Sequence, residues 1–407
     1  MPNKTTPVQT YFHIMAKPIG PLCNLQCDYC FYLHKEHMLS TQTQWRISDE
    51  ILEEFIDQYI NEQTSRKIVF SWQGGEPTLL GLDFFKKVIE LEKKYANGKQ
   101  IENDLQTNGV LLDEEFCCFL KENNFLVGLS IDGPEELHDK HRRDKGNQPT
   151  FQKVFQAAKL LQQYRVPFNA LVTLNYDNAK KPLDLYRFIR DNITPRAIQF
   201  NACVEAKTFC QDAPPYWDTI KHPQLGDPAA RPRSDDSVVY EWSVDPDDYG
   251  NFLIEVFNEW YRHDVGKIFI YNFEYALMLW LGNPMEVGCV FGPVCGKCLA
   301  IEHNGDVYSC DHFVYPKYRL GNIKQKTLSN IAFSRSQIKF GMDKKNGLPQ
   351  YCRDCVYLFA CNGGCPKNRI IRTPIGEPGL NYLCSGLKKY FKHIDPYMNK
   401  LKNTFGH

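Results

Sequence analysis

Short apolar runs alternate with amphipathic stretches through the first half of the chain, and this alternation constrains the fold more than any other feature. "YFHIMA" (Tyr11–Ala16), "KIVFSW" (Lys67–Trp72), "ENDLQTNG", "FLVGLSIDG", "PFNALVTL" and "AIQFNA" read as strands. The stretches between them, such as "DEILEEFIDQYINEQ" and "LDFFKKVIELEKKYA", carry apolar residues at helical spacing, with Ser48 and Asp49 as cap candidates for the first. Six β-then-α units in series predict a parallel sheet. Right-handed crossovers would curl it into a barrel or a partial (β/α)6 barrel of the α/β class. Such barrels keep their active sites at the C-terminal ends of the strands. Cys23–Cys30 follow the first strand here, "QGGEP" (Gln73–Pro77) the second, "QTNG" (Gln106–Gly109) the third and "SIDG" (Ser130–Gly133) the fourth. Element order and residue chemistry therefore agree on a catalytic barrel.

The alternation stops at about residue 205. Residues 206–245, rich in Pro and Asp without a period, read as a long loop or insertion. "DPDDYGNFLIEVFNEWYRHDV" restores a helix. After Pro284 the chain turns rich in Cys, Gly and Pro, and metal ligation would have to supply what apolar burial does not. The expected division is a barrel over 1–245, a linking helical segment over 246–284 and a loop-rich, metal-stabilised domain with a C-terminal helix over 285–407. Lys plus Arg equals Asp plus Glu at 48 each, which disfavours a nucleic-acid partner. No apolar run is long enough for a bilayer, and "MPNKTTPVQTYFHIM" lacks a signal peptide's apolar core, so a soluble, cytoplasmic protein without a membrane partner is expected.

Sixteen cysteines in such a chain are unlike a disulfide scaffold. Cys117, in "FCCFL", reads as a small buried hydrophobe. Cys23, Cys27 and Cys30 lie instead among polar residues, at i, i+4 and i+7. One face of a helix would give that spacing, but "KPIGP" immediately upstream opposes a helix entering the segment. Zinc with His34 or His37 as a fourth ligand is a second reading. The third is a [4Fe-4S] cluster with one iron left open.

C-x3-C-x2-C after the first strand ("CNLQCDYC"), followed by "GGEP" after the second, resembles the radical S-adenosylmethionine (radical SAM) family. The resemblance implies that the open iron chelates S-adenosylmethionine. It makes Tyr29, before the third cysteine, a cofactor-side aromatic. Gly74 and Gly75 would let backbone approach the ligand, and Glu76 or nearby carbonyls would accept from its ammonium, although "GGEP" is also an ordinary turn. Ser130 with Asp132 resembles the ribose-contacting position, or a turn capping the next helix. Arg142 resembles an arginine that reaches the cofactor carboxylate, or belongs to a solvated charge cluster. Val204 stands where an apolar residue packs near the adenine.

The C-terminal cysteines, with "CRDCVYLFACNGGC" among them, resemble the SPASM extension and its two auxiliary clusters. By that resemblance Cys289, Cys295, Cys310 and Cys365 hold one cluster, and Cys352, Cys355, Cys361 and Cys384 the other, for three [4Fe-4S] clusters in all. Two zinc sites would also use eight thiolates. Cys298 is left without a role.

Over nearly its whole length, in "SWQGGEPTLLG", "GLSIDGP", "HDKHR" and "CDHFVYPKYRLGNI" especially, the chain resembles anaerobic sulfatase-maturating enzymes. These oxidise one cysteine or serine of a nascent sulfatase to Cα-formylglycine. The resemblance implies a 5′-deoxyadenosyl radical that takes hydrogen from the target Cβ. A base, here Asp311, would remove the thiol or hydroxyl proton, and an auxiliary cluster would accept the electron. A carboxylate beside an anionic cluster is expected to have raised proton affinity. Tyr32 would line the substrate pocket, or belong to the core. The implied partners are a sulfatase polypeptide with a C/S-x-P-x-R motif and an electron donor such as flavodoxin or ferredoxin. The alternatives are another SPASM enzyme that crosslinks a peptide and a non-catalytic zinc-binding protein.

Overall fold

The computed structural model describes residues 11–39, 45–211, 213, 222–283 and 288–405. Seven strands run parallel: β1 (His13–Lys17), β2 (Lys67–Trp72), β3 (Gln100–Thr107), β4 (Leu126–Ser130), β5 (Phe168–Leu174), β6 (Ala197–Ala202) and β7 (Phe269–Ile270). The longer helices between them are α1 (Asp49–Asn61), α2 (Leu82–Tyr95), α3 (Glu114–Glu122), α4 (Phe151–Gln163) and α5 (Pro182–Phe188). Then α6 (Pro246–His263) precedes β7, and α7 (Tyr271–Trp280) follows it. β2 and β6 occupy the same residues as the apolar runs that predict them.

The alternation in "KIVFSW" explains its side-chain facing. Ile68, Phe70 and Trp72 are buried toward the helices, where Phe70 and Trp72 meet Phe55, Tyr59, Phe84 and Phe85 edge to face. Each such ring contributes roughly 1.5–3 kcal/mol on burial. Ser71 points the other way, bonding Asp104 at 2.7 Å and His13 at 3.0 Å. Ser48 caps α1 by accepting from the Ile51 amide, as its residue type predicts. In "FCCFL", Cys117 is buried and Cys118 exposed.

The region after residue 285 is more than a loop-rich appendage. It supplies β8 (Cys298–Glu302), β9 (Asp306–Tyr308) and β10 (Arg319–Asn322) to the same sheet, whose order is β10-β9-β8-β1-β2-β3-β4-β5-β6-β7. β8 lies parallel to β1 in the register His13↔Cys298 to Lys17↔Glu302. β9 and β10 then turn back antiparallel. The outermost strands β10 and β7 do not pair with each other, so the barrel is partial. Two more helices, α8 (Arg335–Asn346) and α9 (Cys384–Phe405), complete this half. α9 runs against α6 at a glycine contact, where a Cβ on Gly386 would sit 1.8 Å from the Pro246 carbonyl.

The segment 206–245 is irregular but held, apart from residues 212 and 214–221, which lie outside the described ones. Ala206 bridges Val239, Gln224 bridges Arg372, and Arg231 pairs with Asp245 and Asp247 at the start of α6.

Candidate active site and cluster-binding cysteines

β1 ends at Lys17, and the chain turns through Gly20 into the loop of Cys23, Cys27 and Cys30. Two neighbouring loops clamp this one. From the β2 side, the Gly75 amide donates to the Gly20 carbonyl at 2.7 Å and the Glu76 amide to the Leu22 carbonyl at 2.8 Å. From the β4 side, Gln26 donates to Arg143 and Asp28 to His141, whose ring bonds the Asp28 carboxylate at 2.9 Å. A Cβ on Gly75 would lie 1.8 Å from the Leu22 carbonyl oxygen, and one on Gly74, at φ 131°, 3.1 Å from that of Gly20. Their lack of side chains admits the cysteine loop.

Glu76 reaches across the same two loops. Its carboxylate is buried and accepts from the Thr78 amide, the Thr78 and Thr107 hydroxyls and the Asn108 amide at 2.7–3.1 Å. The Thr78 amide and the Thr78 and Thr107 hydroxyls meet Oε1 and the Asn108 amide meets Oε2, so the side chain braces the β2 and β3 loops. Tyr29, Asp132 and Arg142 form one buried unit. The Tyr29 hydroxyl donates to Asp132, Arg142 Nε pairs with the same oxygen at 2.9 Å, and the guanidinium lies 5.5 Å from the Tyr29 ring centre. Arg142 therefore belongs to no solvated cluster. Ser130 ends β4 with little exposure, and Val204 is buried after β6.

Burial pushes the Cys23 thiol up to about 12, with Glu76 adding to it, and Cys30 up to about 11. Cys27 is raised by burial as well. Thiols so reluctant to ionise act as ligands when a bound cation takes the proton's place. Among the described residues no group of three His, Cys, Asp or Glu side chains is gathered as a single ion requires. Zinc holds its thiolates at about 2.3 Å from one centre, whereas a four-iron cluster takes each at a different iron. The donor set fits the cluster.

The pairing of β1 with β8 brings Asp311 to this loop. Asp311 opens the turn after β9 and forms an ion pair with Lys17 at 2.5 Å. Lys17 is 2% exposed and lies 4.0 Å from the centre of the Tyr32 ring. The Tyr32 hydroxyl donates to Glu302, the residue opposite Lys17 in the sheet. Tyr32 is buried and props Lys17. Burial is the largest influence on the Asp311 carboxyl and would raise it. Lys17, His312 and Lys35 overcome that and hold it below the ordinary value. Nearby, Lys367 pairs with Glu205 at 2.6 Å, and buried Lys35 lies over the Tyr315 ring and is pushed down to about 6 by burial.

The sequence reading missed Lys17, Glu302, Lys35, Glu205 and Lys367. Lys17 and Glu302 carried a usable signal, since both are charged residues ending apolar strands.

The C-terminal cysteines fall into two sets. Charges on Cys289, Cys295, Cys310 and Cys365 act on one another. Cys352, Cys355, Cys361 and Cys384 form the second set and line one recess, with Tyr351, Tyr357 and Lys388 among its walls. His312 bonds Cys365 at 3.6 Å and helps lower its thiol to about 7 against the pull of burial. Cys298 lies on β8 opposite His13, and Cys289 of the first set acts on it as well.

The sequence model of the Radical SAM superfamily matches residues 18–189, and that of an iron-sulfur cluster-binding domain, SPASM, matches residues 289–356. The chain is 46% identical over 390 residues to a serine-type anaerobic sulfatase-maturating enzyme of Bacteroides thetaiotaomicron, covering 96% of this chain and 91% of the relative. It is 32% identical over 396 residues to a cysteine-type anaerobic sulfatase-maturating enzyme of Clostridium perfringens, covering 96% and 98%. A solved structure described as native anSMEcpe with bound AdoMet and Cp18Cys peptide superposes with a TM-score of 0.80 at 32% identity, covering 96% of this chain and 99% of that one.

Proposed function

Since the chain belongs to the anaerobic sulfatase-maturating enzymes, we propose how its own residues divide the work of turning a serine or cysteine of a sulfatase into Cα-formylglycine. It is a radical SAM enzyme that uses S-adenosylmethionine, a [4Fe-4S] cluster and further iron–sulfur clusters in a SPASM domain. Cys23, Cys27 and Cys30 hold the first cluster. Cys289, Cys295, Cys310 and Cys365 hold one auxiliary cluster, and Cys352, Cys355, Cys361 and Cys384 the other. When bound, these groups supply a carbon radical that removes hydrogen from the target Cβ and a sink for the electron left behind.

The cofactor pocket is framed by Tyr29, Gly74, Ser130, Arg142 and Val204, with Gly75 and Glu76 fixing its wall from behind. Asp132 orients both Tyr29 and Arg142, so the guanidinium meets a carboxylate ligand in a preset pose. Asp311 removes the proton from the target hydroxyl or thiol. A base has to be ionised before it acts, and Lys17 keeps it so. Tyr32 and Glu302 hold Lys17 in place. Residues 1–245 form the barrel, 246–284 the link and 285–407 the auxiliary-cluster domain. The polypeptide partner carries a C/S-x-P-x-R sequence, and a flavodoxin- or ferredoxin-like carrier donates the electron.

The Lys17–Asp311 pair carries this reading. It ties the strand that leads into the cysteine loop to the turn beside Cys310, and the charge of Lys17 acts on Cys30. The test is oxygen-free incubation with S-adenosylmethionine, a reductant and serine and cysteine versions of a C/S-x-P-x-R peptide. A hydrazone-trappable aldehyde on that residue is expected; crosslinked peptide, or no change to the peptide, would overturn the assignment.

A further inference from the structure

Two buried cations lie between the auxiliary cysteine sets without a carboxylate partner. Lys344, near the end of α8, is 1% exposed, and its ammonium donates to the carbonyls of Cys289 at 2.6 Å and Val290 at 2.9 Å. Arg369 is 2% exposed and donates to the carbonyls of Gly363 at 3.2 Å, Lys344 at 2.8 Å and Asn362 at 3.2 Å. Among the described residues neither forms an ion pair with Asp or Glu. A buried, unpaired cation is costly unless an anion lies near it. The groups in reach that can be anionic are cysteines. Lys344 acts on Cys289, Cys295 and Cys365 of the first set and on Cys361 of the second. Arg369 acts on Cys295 and Cys365 of the first and Cys352 and Cys361 of the second.

The backbone is shaped to keep the guanidinium there. Asn362, Gly363 and Gly364 all have positive φ. A Cβ on Gly363 would lie 2.3 Å from the Leu348 side chain and 2.6 Å from Arg369 Nη2.

Resting on the assignment of these cysteines to two clusters, we propose that Lys344 and Arg369 are charge-setting residues that make the auxiliary clusters willing electron acceptors, with Arg369 acting on both. Each cluster with four thiolates is an anion, and taking up one electron adds a further negative charge. A fixed positive charge in a dry site favours the reduced form, and net charge and burial are among the factors that set such potentials. Lys344 bonds the backbone of Cys289 in the first set, and Arg369 bonds Gly363 and Asn362, which link Cys361 of the second set to Cys365 of the first.

The experiment is a redox titration of oxygen-free holoenzyme followed by electron paramagnetic resonance, with iron counted in each sample. Arg369→Met should move both auxiliary midpoints negative, and Lys344→Met chiefly that of the Cys289 set. At fixed potential the oxidised-to-reduced ratio should rise at least about tenfold, about 59 mV for a one-electron couple. Lys344→Arg and Arg369→Lys should stay near the parent, as should the Cys23–Cys30 cluster in every variant. Full iron with unmoved midpoints overturns the proposal, and so do equal shifts in the charge-conserving variants. Should Arg369→Met lose auxiliary iron, Lys344→Met decides alone. A parent protein without auxiliary iron would instead refute the cluster assignment itself.

Discussion

Lys17 and Asp311 stand 2.5 Å apart, one at the end of the first barrel strand and the other on the turn after β9. Neither segment reaches the other through the connectivity of the barrel. They meet because β8 lies against β1 in register. The pair therefore depends on the C-terminal half for its existence.

Asp311→Asn should leave reductive cleavage of S-adenosylmethionine intact while aldehyde formation falls about 10²–10⁴-fold, the usual contribution of a positioned base. Product chromatography of both reactions in one sample reads the split. Parallel loss of the two would sink the assignment of the base.

Gly75→Ala should cost the first cluster. A methyl group 1.8 Å from the Leu22 carbonyl cannot be relieved by rotating a side chain, because the clash is with backbone. Iron should drop from about twelve to about eight per chain, with the auxiliary signals retained. Twelve irons in purified, folded Gly75→Ala would contradict this.

Glu76→Ala strips four donors of their acceptor. With about 1–3 kcal/mol for each buried group left unsatisfied, a loss of roughly 3 kcal/mol or more is expected even after water relieves some of them. Oxygen-free thermal melting measures it. A melting temperature equal to that of the parent would refute the brace.

Glu92 should give the protein a pH response outside the site's own cysteines and carboxylates. It is buried, accepts from Asn103 at 2.9 Å, and burial pushes its carboxyl up to about 8. The unfolded chain would release that proton near 4.5. Between those values the folded state holds more protons, so stability falls as pH rises through this window. Glu92→Gln should flatten that slope and stabilise the protein at pH 7 by roughly 2–3 kcal/mol. Denaturation midpoints at pH 5 and pH 8 check it, and a parallel pH profile in the variant would argue against it.

The strands and helices of the barrel were legible because each writes its own period into the sequence. "KIVFSW" and "AIQFNA" mark their strands to the residue, and Ser48 announces its helix by side-chain chemistry. The cysteine loop was legible for the same local reason. What stayed hidden is set by contacts distant in the chain. No period near Cys298 says that it will pair with β1, so the neighbourhood of Asp311 could not be drawn. The four donors that Glu76 accepts from lie in two loops and are invisible to a motif. Lys344 and Arg369 carry no local signal of burial in the sequence beside them.

β1 gives one flank to β2 and the other to β8, so the two halves of the molecule share a single spine. Severing the chain ahead of β8 would bare a row of unsatisfied amides and carbonyls along an apolar ribbon, an invitation to aggregate. Truncated versions should thus be insoluble, and the auxiliary half is a poor candidate for grafting onto other barrels.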